Sequence, residues 1–535
     1  MLGRAAAFAA FLFSTAAMAA PPVDSGMLGR ISDEAFNHGE VVETAAFLAD
    51  QIGGRLTNSP AMRKAESWTQ DRFRQWGLTN VHSEGFEFGR GWSSDFVSAR
   101  MIAPRALTLR AIAITWTPAT AGPLTAPVIV APMRRERDFA AWHGKLAGRI
   151  VLFSYPADPS DATDAPFRRL DEAALKKLDQ YSQPNFDPDA IDLLVKRRRF
   201  TAALDAFAKA EGAVALVRMS ARNNGLLVGS GSGYEVGKTA ILPAIELAAE
   251  DYRRLARLAK VGPVSLELES RVRFDDSDTK AYNVLADIPG SDPKAGYVMA
   301  GAHLDSWVAG DGAADNGAGS AMVMEAARIL ARLGVKPKRT IRFALWAAEE
   351  QGLIGSTAYV DQHLARRPVD PDPEKAALGS FRFPNFPITP LPGLRDLVAY
   401  FNIDNGSGKL RGIYAEGNYG AAAIFKDWLA PFASMGAATV VAQPTGSTDH
   451  VVMQRLGLPA FQFIQDPLDY SSTVHHSSVD TFDHLRAADM RQGAVILATM
   501  LLDAANADQP LPRLPLPTQP RPTDPFHYAD PDDQP

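Results

Sequence analysis

Tyr297-Val-Met-Ala-Gly-Ala-His-Leu-Asp305 is an apolar run that ends in a histidine and a carboxylate. Two later stretches repeat the arrangement: Thr340 to Trp346 stops just before Glu349 and Glu350, and Leu397 to Ile403 stops at Asp404. Short apolar runs bounded by polar residues predict buried strands, and an open α/β sheet gathers its chemistry where such strands end. Asp315 lies in a loop ahead of a helical pattern in which Met322, Ala326, Ile329, Leu330 and Leu333 share a face and Gly334 closes the helix. The sequence thus predicts the α/β class, a mixed central sheet flanked by helices, with loops from separate strands meeting at one point.

His303, Asp315, Glu350, Asp404 and His476 form a set of nitrogen and oxygen donors in a chain with no cysteine. Such a set suits catalytic zinc better than a thiolate-rich structural site. Five protein ligands exceed the three usual for one catalytic zinc, but they fit two Zn2+ ions about 3.5–4 Å apart if one carboxylate bridges them. Asp315 is the expected bridge. Adjacent side chains in a loop diverge, so Glu350 is expected to bind metal while Glu349 serves as general base toward water. Asp305, two residues beyond His303, is expected to receive the second ring proton of that imidazole and so fix its tautomer. Two-metal hydrolysis is the chemistry these residues predict.

The segments Gly301-Ala-His-Leu-Asp-Ser-Trp307, Gly310-Asp-Gly-Ala-Ala-Asp-Asn-Gly317, Leu345-Trp-Ala-Ala-Glu-Glu-Gln-Gly352 and His475-His-Ser-Ser-Val-Asp-Thr481 resemble the co-catalytic zinc exopeptidases. That family includes bacterial leucine-type aminopeptidases, glutamate carboxypeptidase II and carboxypeptidase Q, and the segments look most like the carboxypeptidase Q branch. The likeness extends from about Val41 to Leu502. It implies a zinc exopeptidase fold with two zinc ions per subunit: His303 and Glu350 on different metals, Asp404 and His476 completing the two sites, and Asp315 bridging. It further implies short peptides as substrates, attacked by an aminopeptidase, carboxypeptidase or dipeptidase, in a protein that is often a homodimer. His475 is a second candidate beside His476, which is preferred because Asp480 and Thr481 then stand at the family's offsets. A Pro-rich insertion from about Arg366 to Pro392 separates Glu350 from Asp404. Asp480 reads equally as a residue of the site or as a cap on the following helical run, and it is left out of the site. Asp449 and His450 either line the cleft or form a turn, and Tyr470 either polarises the scissile carbonyl or packs. The alternatives are a single-zinc acyltransferase or cyclase on the same fold, against which the presence of both His303 and Asp404 speaks, and a non-catalytic receptor-like binding protein, against which the complete ligand set speaks.

Residues 1–20 read as a signal peptide: Arg4 starts it, Ala5 to Phe13 is apolar, and Ala17-Met-Ala19 is a small-residue cleavage site. A periplasmic or secreted protein is expected, without membrane attachment after cleavage, because no run is long enough to span a bilayer. Residues 21–121 are assigned to the N-terminal part of the peptidase domain, where Ser59-Pro60 starts a helix with Met62, Ala65, Trp68 and Phe73 on its apolar face. Between 122 and 270 the runs Ala126 to Ala131, Arg149 to Phe153, Ala213 to Val217 and Ile241 to Leu247 predict short strands. This stretch resembles an inserted β-rich protease-associated domain, expected either to cover the cleft and narrow access to short peptides or to serve only as a folding accessory. Residues 271–505 form the catalytic domain and 506–535 a Pro-rich tail without its own core. A chain of 535 residues, 46% hydrophobic and 22% charged, is an ordinary globular protein too large for a single core. Its net charge of −6 disfavours general nucleic-acid binding, and Lys196-Arg-Arg-Arg199 reads as a solvated face at the end of a helix. No Gly-x-Ser-x-Gly or His-Glu-x-x-His occurs, and no cysteine nucleophile is possible.

Overall fold

The three apolar runs that end in candidate ligands form neighbouring parallel strands, Tyr297–His303, Thr340–Trp346 and Leu397–Asn402, and nearly every residue in them is buried. Parallel strands are covered on both faces, so they are apolar throughout instead of alternating. The computed structural model describes residues 24–159, 165–181, 189–238, 240–378 and 385–520. The leader reading lies outside these residues, as does the tail beyond 520.

The central sheet has eight strands in the order Thr79–Glu87, Lys280–Ile288, Thr340–Trp346, Tyr297–His303, Leu397–Asn402, Ala460–Gln465, Leu410–Tyr414 and Thr439–Val441. Its middle is parallel and its flanks bring in antiparallel pairs. It is therefore the mixed sheet flanked by helices that the hydrophobic pattern predicts. Register does the rest: His303 lies opposite Trp346 and Gly301 opposite Asn402, so the three strands stop nearly flush.

The helix Ala318–Arg332 is buried continuously from Ala318 to Leu330, well beyond the single apolar face read from its spacing. It lies against the sheet and is covered by the helices Ala487–Asn506, Ser25–Asn37 and Val41–Ala46. Its charged residues are enclosed because they are paired: Arg328 donates to Glu325 at 2.9 and 3.0 Å and to Glu34 at 2.6 Å. Ser59 caps the helix Pro60–Gln75 by accepting from Met62 N, as its Ser-Pro start indicates.

A second eight-stranded sheet contains Leu124–Val130, Ile150–Leu152, Ala215–Met219 and Ala244–Leu247, close to the four runs identified in the sequence. The boundary at 121/122 needs correction, because Gly91–Ala103, Leu107–Leu109 and Ala111–Ala113 also belong to this sheet. Gly91–Ala103 runs antiparallel to Ser265–Asp275, from Gly91 opposite Asp275 to Ala103 opposite Ser265. The chain therefore enters and leaves the second sheet as one ribbon, near residues 90 and 276.

The basic run Lys196 to Arg199 lies inside the helix Ala190–Ala210 instead of ending it. Arg198 donates to Ala377 O and Arg199 pairs with Glu374, so the run docks the Pro-rich insertion. The tail to residue 520 has no helix or strand but is anchored: Leu511 is buried and Arg513 donates to the carbonyls of Leu394, Arg395 and Leu397. No described helix is long and apolar enough to cross a membrane.

Gly301 tests how tightly the His303 strand is held. A Cβ there would lie 2.4 Å from Tyr400 Oη and 2.6 Å from Trp346 Nε1, which are hydrogen-bonded to each other. Gly301→Ala is expected to cost about 1–3 kcal/mol through overpacking, read as a lower urea midpoint; an unchanged midpoint would show that the strand yields.

Candidate metal centre

Asp315 stands between two imidazoles. Its Oδ1 lies 3.3 Å from His303 Nε2 and its Oδ2 lies 3.2 Å from His476 Nε2. His303 Nε2 also meets Asp404 Oδ1 at 3.2 Å, and His476 Nε2 meets Glu350 Oε2 at 2.9 Å. All five candidate ligands thus gather in two clusters that share one carboxylate. His475 stacks on His476 with ring centroids 3.7 Å apart, but its Nε2 is 3.7 Å from Asp315 Oδ2. The contact with Glu350 falls to His476.

The donor chemistry fits cations. His303 Nδ1 lies 2.9 Å from the carbonyl oxygen of Asp305, which only accepts, so the ring proton belongs there. Nε2 then faces two carboxylate oxygens at 3.3 and 3.2 Å, an arrangement that calls for positive charge: the protonated ring donates to them, and a neutral ring would need a cation between. Burial would lower the pKa of His303, but the charges of Asp404 and Glu349 and the hydrogen bond to Asp315 raise it well above the usual value. Asp315 shows the converse: burial would raise it, yet the hydrogen bond from His303 and the charge of His476 hold it below the carboxylate range. Burial drives Glu349 and Glu350 well upward, helped by Asp404 and Asp449 for Glu349 and by Asp315 for Glu350. Asp315 Oδ2 and Glu350 Oε1 are buried without a hydrogen-bond donor.

The tautomer role expected of the Asp305 carboxylate is corrected. Its backbone carbonyl takes the His303 proton, while Oδ1 accepts from Glu349 N at 3.2 Å and Oδ2 accepts from Glu350 N at 3.3 Å and Thr57 Oγ1 at 3.2 Å. Asp305 therefore holds the tight turn, with Ala348 at φ 58°, that sends Glu349 and Glu350 in different directions. Asp480 is corrected as well. The cap position before Phe482–His484 belongs to Thr481, and Asp480 accepts from Ala314 N at 2.6 Å and Asp315 N at 3.1 Å. Burial and the nearby Asp315 push its pKa up to about 7.

Arg55 carries no signal in the sequence, because it sits in a glycine-rich turn far from every motif. It is fully buried and donates to Leu304 O at 2.7 Å, Asp311 O at 2.9 Å and Gly312 O at 2.7 Å, clamping the loop between His303 and Asp315. Burial lowers its pKa to about 10, which leaves it charged at neutral pH beside Asp480, Asp305 and Asp315.

A cleft of about 500 Å³ opens over the cluster, lined by Glu349, Asp404, Thr448, Arg455, Tyr470 and His476 among others. Asp449 and His450 are buried behind its wall. His450 Nε2 lies 3.2 Å from Glu416 Oε1, and burial pushes the Asp449 carboxyl up to about 7.

Residues 283–501 match the profile of peptidase family M28. Carboxypeptidase Q of Mus musculus is 26% identical over 475 residues, covering 88% of this chain and 87% of that protein. Leupeptin-inactivating enzyme 1 of Streptomyces exfoliatus is 31% identical over 259 residues, 44% of this chain and 52% of that protein. Among solved structures, a peptidase M28 precursor from Shewanella amazonensis superposes with a TM-score of 0.62 at 24% identity, over 92% of this chain and 99% of that one. A zinc aminopeptidase from Bacillus subtilis gives 0.55 at 20% identity, over 87% and 94%. At these identities the two structures speak for the fold.

Replacing Arg55 strips the loop of its donors and the carboxylates of a counter-charge. Arg55→Met is expected to cost about 3–5 kcal/mol, seen as a lower urea midpoint and faster amide exchange across 304–317. Wild-type stability in that variant would deny Arg55 this role.

Proposed function

Residues 283–501 make this chain a member of peptidase family M28, hence a zinc metallopeptidase, and from that premise we propose an exported exopeptidase that uses two zinc ions to cleave short peptides. The observation that carries the two-ion reading is Asp315, whose two oxygens face different imidazoles. His303, Asp404 and Asp315 would hold one ion, and Asp315, Glu350 and His476 the other. When bound, the pair supplies a water of lowered pKa and Lewis-acid polarisation of the scissile carbonyl.

Glu349 is the base in this reading. It lines the cleft and binds neither imidazole, and its raised pKa suits a carboxylate that takes a proton from the attacking water and returns it to the leaving amine. Asp305, through the amides of Glu349 and Glu350, keeps base and ligand on opposite sides of one turn. Tyr470 lines the cleft and offers an O–H toward a carbonyl oxygen. Burial, followed by the nearby carboxylates Asp315 and Asp404, raises its pKa well above the usual value and keeps it protonated.

The size of the cleft suits a short peptide. The second sheet is proposed as a protease-associated domain that narrows access to it. The leader-like start supports export to the periplasm or beyond, the acidic net charge argues against nucleic acid as partner, and a homodimer is the proposed assembly. The names carboxypeptidase Q and zinc aminopeptidase among the relatives leave either peptide terminus as the point of attack.

Glu349→Gln is expected to retain two zinc ions per chain by elemental analysis and to lose about 10²–10⁴-fold in turnover. Near-normal turnover rejects the base assignment, and one zinc per wild-type chain favours the single-zinc transferase or cyclase. Dipeptides and tripeptides blocked at one end or the other assign the terminus: an enzyme that needs a free amino end stalls only on amino-blocked peptides.

A further inference from the structure

The segment that carries His476 is held from outside the catalytic sheet. Arg222, in the loop after Ala215–Met219 of the second sheet, donates from Nη1 to His475 O at 3.0 Å. Five residues on, Leu227 pairs with Ser478: Ser478 N donates to Leu227 O at 2.9 Å and Leu227 N to Ser478 Oγ at 3.1 Å. An aromatic series reaches the same imidazole from the other side. Trp307 stands edge-on to His476 with centroids 6.4 Å apart and meets Trp116 at 6.2 Å, and Trp116 meets Tyr234 at 5.3 Å. Trp116 and Tyr234 lie within the stretch that builds the second sheet.

These supports converge on a backbone that needs them. His476 has φ 55°, a left-handed conformation that costs a non-glycine residue about 1–3 kcal/mol and persists where the surroundings over-determine it. Within its own loop, the neighbouring turn rests on His475 N to Tyr470 O at 2.8 Å and Ser477 N to Val474 O at 2.9 Å. The carbonyl between those two amides, that of His475, is the one Arg222 takes.

We infer that Arg222 is a positioning residue for the metal centre: by holding the His475 carbonyl it fixes the turn that aims the His476 imidazole at Asp315 and Glu350, so that docking of the second domain completes one half of the centre. The His303 half, built on the flush strand ends, does not depend on it. The inference rests on the two-ion reading given under Proposed function.

Chelator competition on the purified full-length chain separates the two. Wild type is expected to bind two zinc ions. Arg222→Ala should weaken one of them by about 10–100-fold, the loss usual when a ligand's outer partner goes, and leave the other within about twofold. Arg222→Lys, which keeps a donor for the single carbonyl, should restore most of that affinity. Ser478→Ala should shift the same ion by less. At a zinc concentration that fills both sites of the wild type but only the tighter site of the variant, Arg222→Ala should lose kcat with KM for a dipeptide unchanged. Metal-free Arg222→Ala should melt no more than a few degrees below metal-free wild type, as the loss of a single hydrogen bond allows. Two ions bound by Arg222→Ala with wild-type affinities would overturn this inference alone, as would a rise in KM with both affinities intact, which would assign Arg222 to the substrate. A single zinc in the wild type would overturn the two-ion reading and this inference with it.

Discussion

Repulsion among buried carboxylates is the constraint that the rest of the centre answers. Asp315, Glu349, Glu350 and Asp404 surround one point, with Asp305 and Asp480 just behind them. Two like charges 4 Å apart repel by about 4 kcal/mol at an effective dielectric of 20, so such a group survives only with positive charge and donors supplied from all sides. The chain supplies them in layers. His303 and His476 face the carboxylates directly, and Arg55 adds a buried cation whose N–H groups are spent on loop carbonyls. Asp305 and Asp480 do not add to the crowding unaided, since each accepts two backbone N–H groups. Each also orients a loop that carries a candidate ligand: Asp305 the Glu349–Glu350 turn, Asp480 the backbone of Asp315.

What could be read from the chain follows the same division. His303, Glu350 and Asp404 were legible because buried parallel strands have to be apolar, and the polar residues at or just past the end of each mark the open end of the sheet. Asp315 was legible from its place in the loop ahead of a helix, and His476 through the resemblance of its segment to the zinc exopeptidases. Arg55 was not, because its partners are backbone carbonyls some 250 residues away, and carbonyls leave no trace in side-chain identity. Asp480 was misread for a related reason: a carboxylate that caps a helix and one that accepts from a remote loop look alike in sequence. The boundary of the second domain was placed too late because Gly91–Ala103 continues straight from the edge strand Thr79–Glu87, with no shift in composition to separate them.

That continuity bears on how the two sheets cooperate. Thr79–Glu87 pairs antiparallel with Lys280–Ile288, ending with Glu87 opposite Lys280, and the same two stretches of chain pair again a few residues later with Gly91 opposite Asp275. Between the two ladders Phe88 N and Gly89 N both donate to Thr279 O, Asn58 Nδ2 bonds Gly89 O and Asp278 O at 2.7 Å each, and Arg90 pairs with Asp276 at 2.6 Å. Gly89, at φ 147°, is obligatory here, since a Cβ would lie 2.2 Å from Tyr234 O. The second sheet thus joins the first by a hydrogen-bonded two-stranded stem, and the junction has little of the freedom that a Gly/Ser linker would give.

A stiff stem explains why the contacts at Arg222 and Leu227 can be few and still matter. Three hydrogen bonds would not by themselves overcome the entropy of ordering a freely hinged domain. With the orientation already set by the stem, they have only to fix a loop. The register of the ribbon, together with contacts such as Arg169 to Asp466 and Asp489, therefore sets the reach of the Arg222 loop to His475, and a slip of one residue in Gly91–Ala103 against Ser265–Asp275 would turn every side chain of that strand to the wrong face. The turn that carries His476 is thus held by a loop whose reach depends on a ribbon that contributes no residue to the cluster.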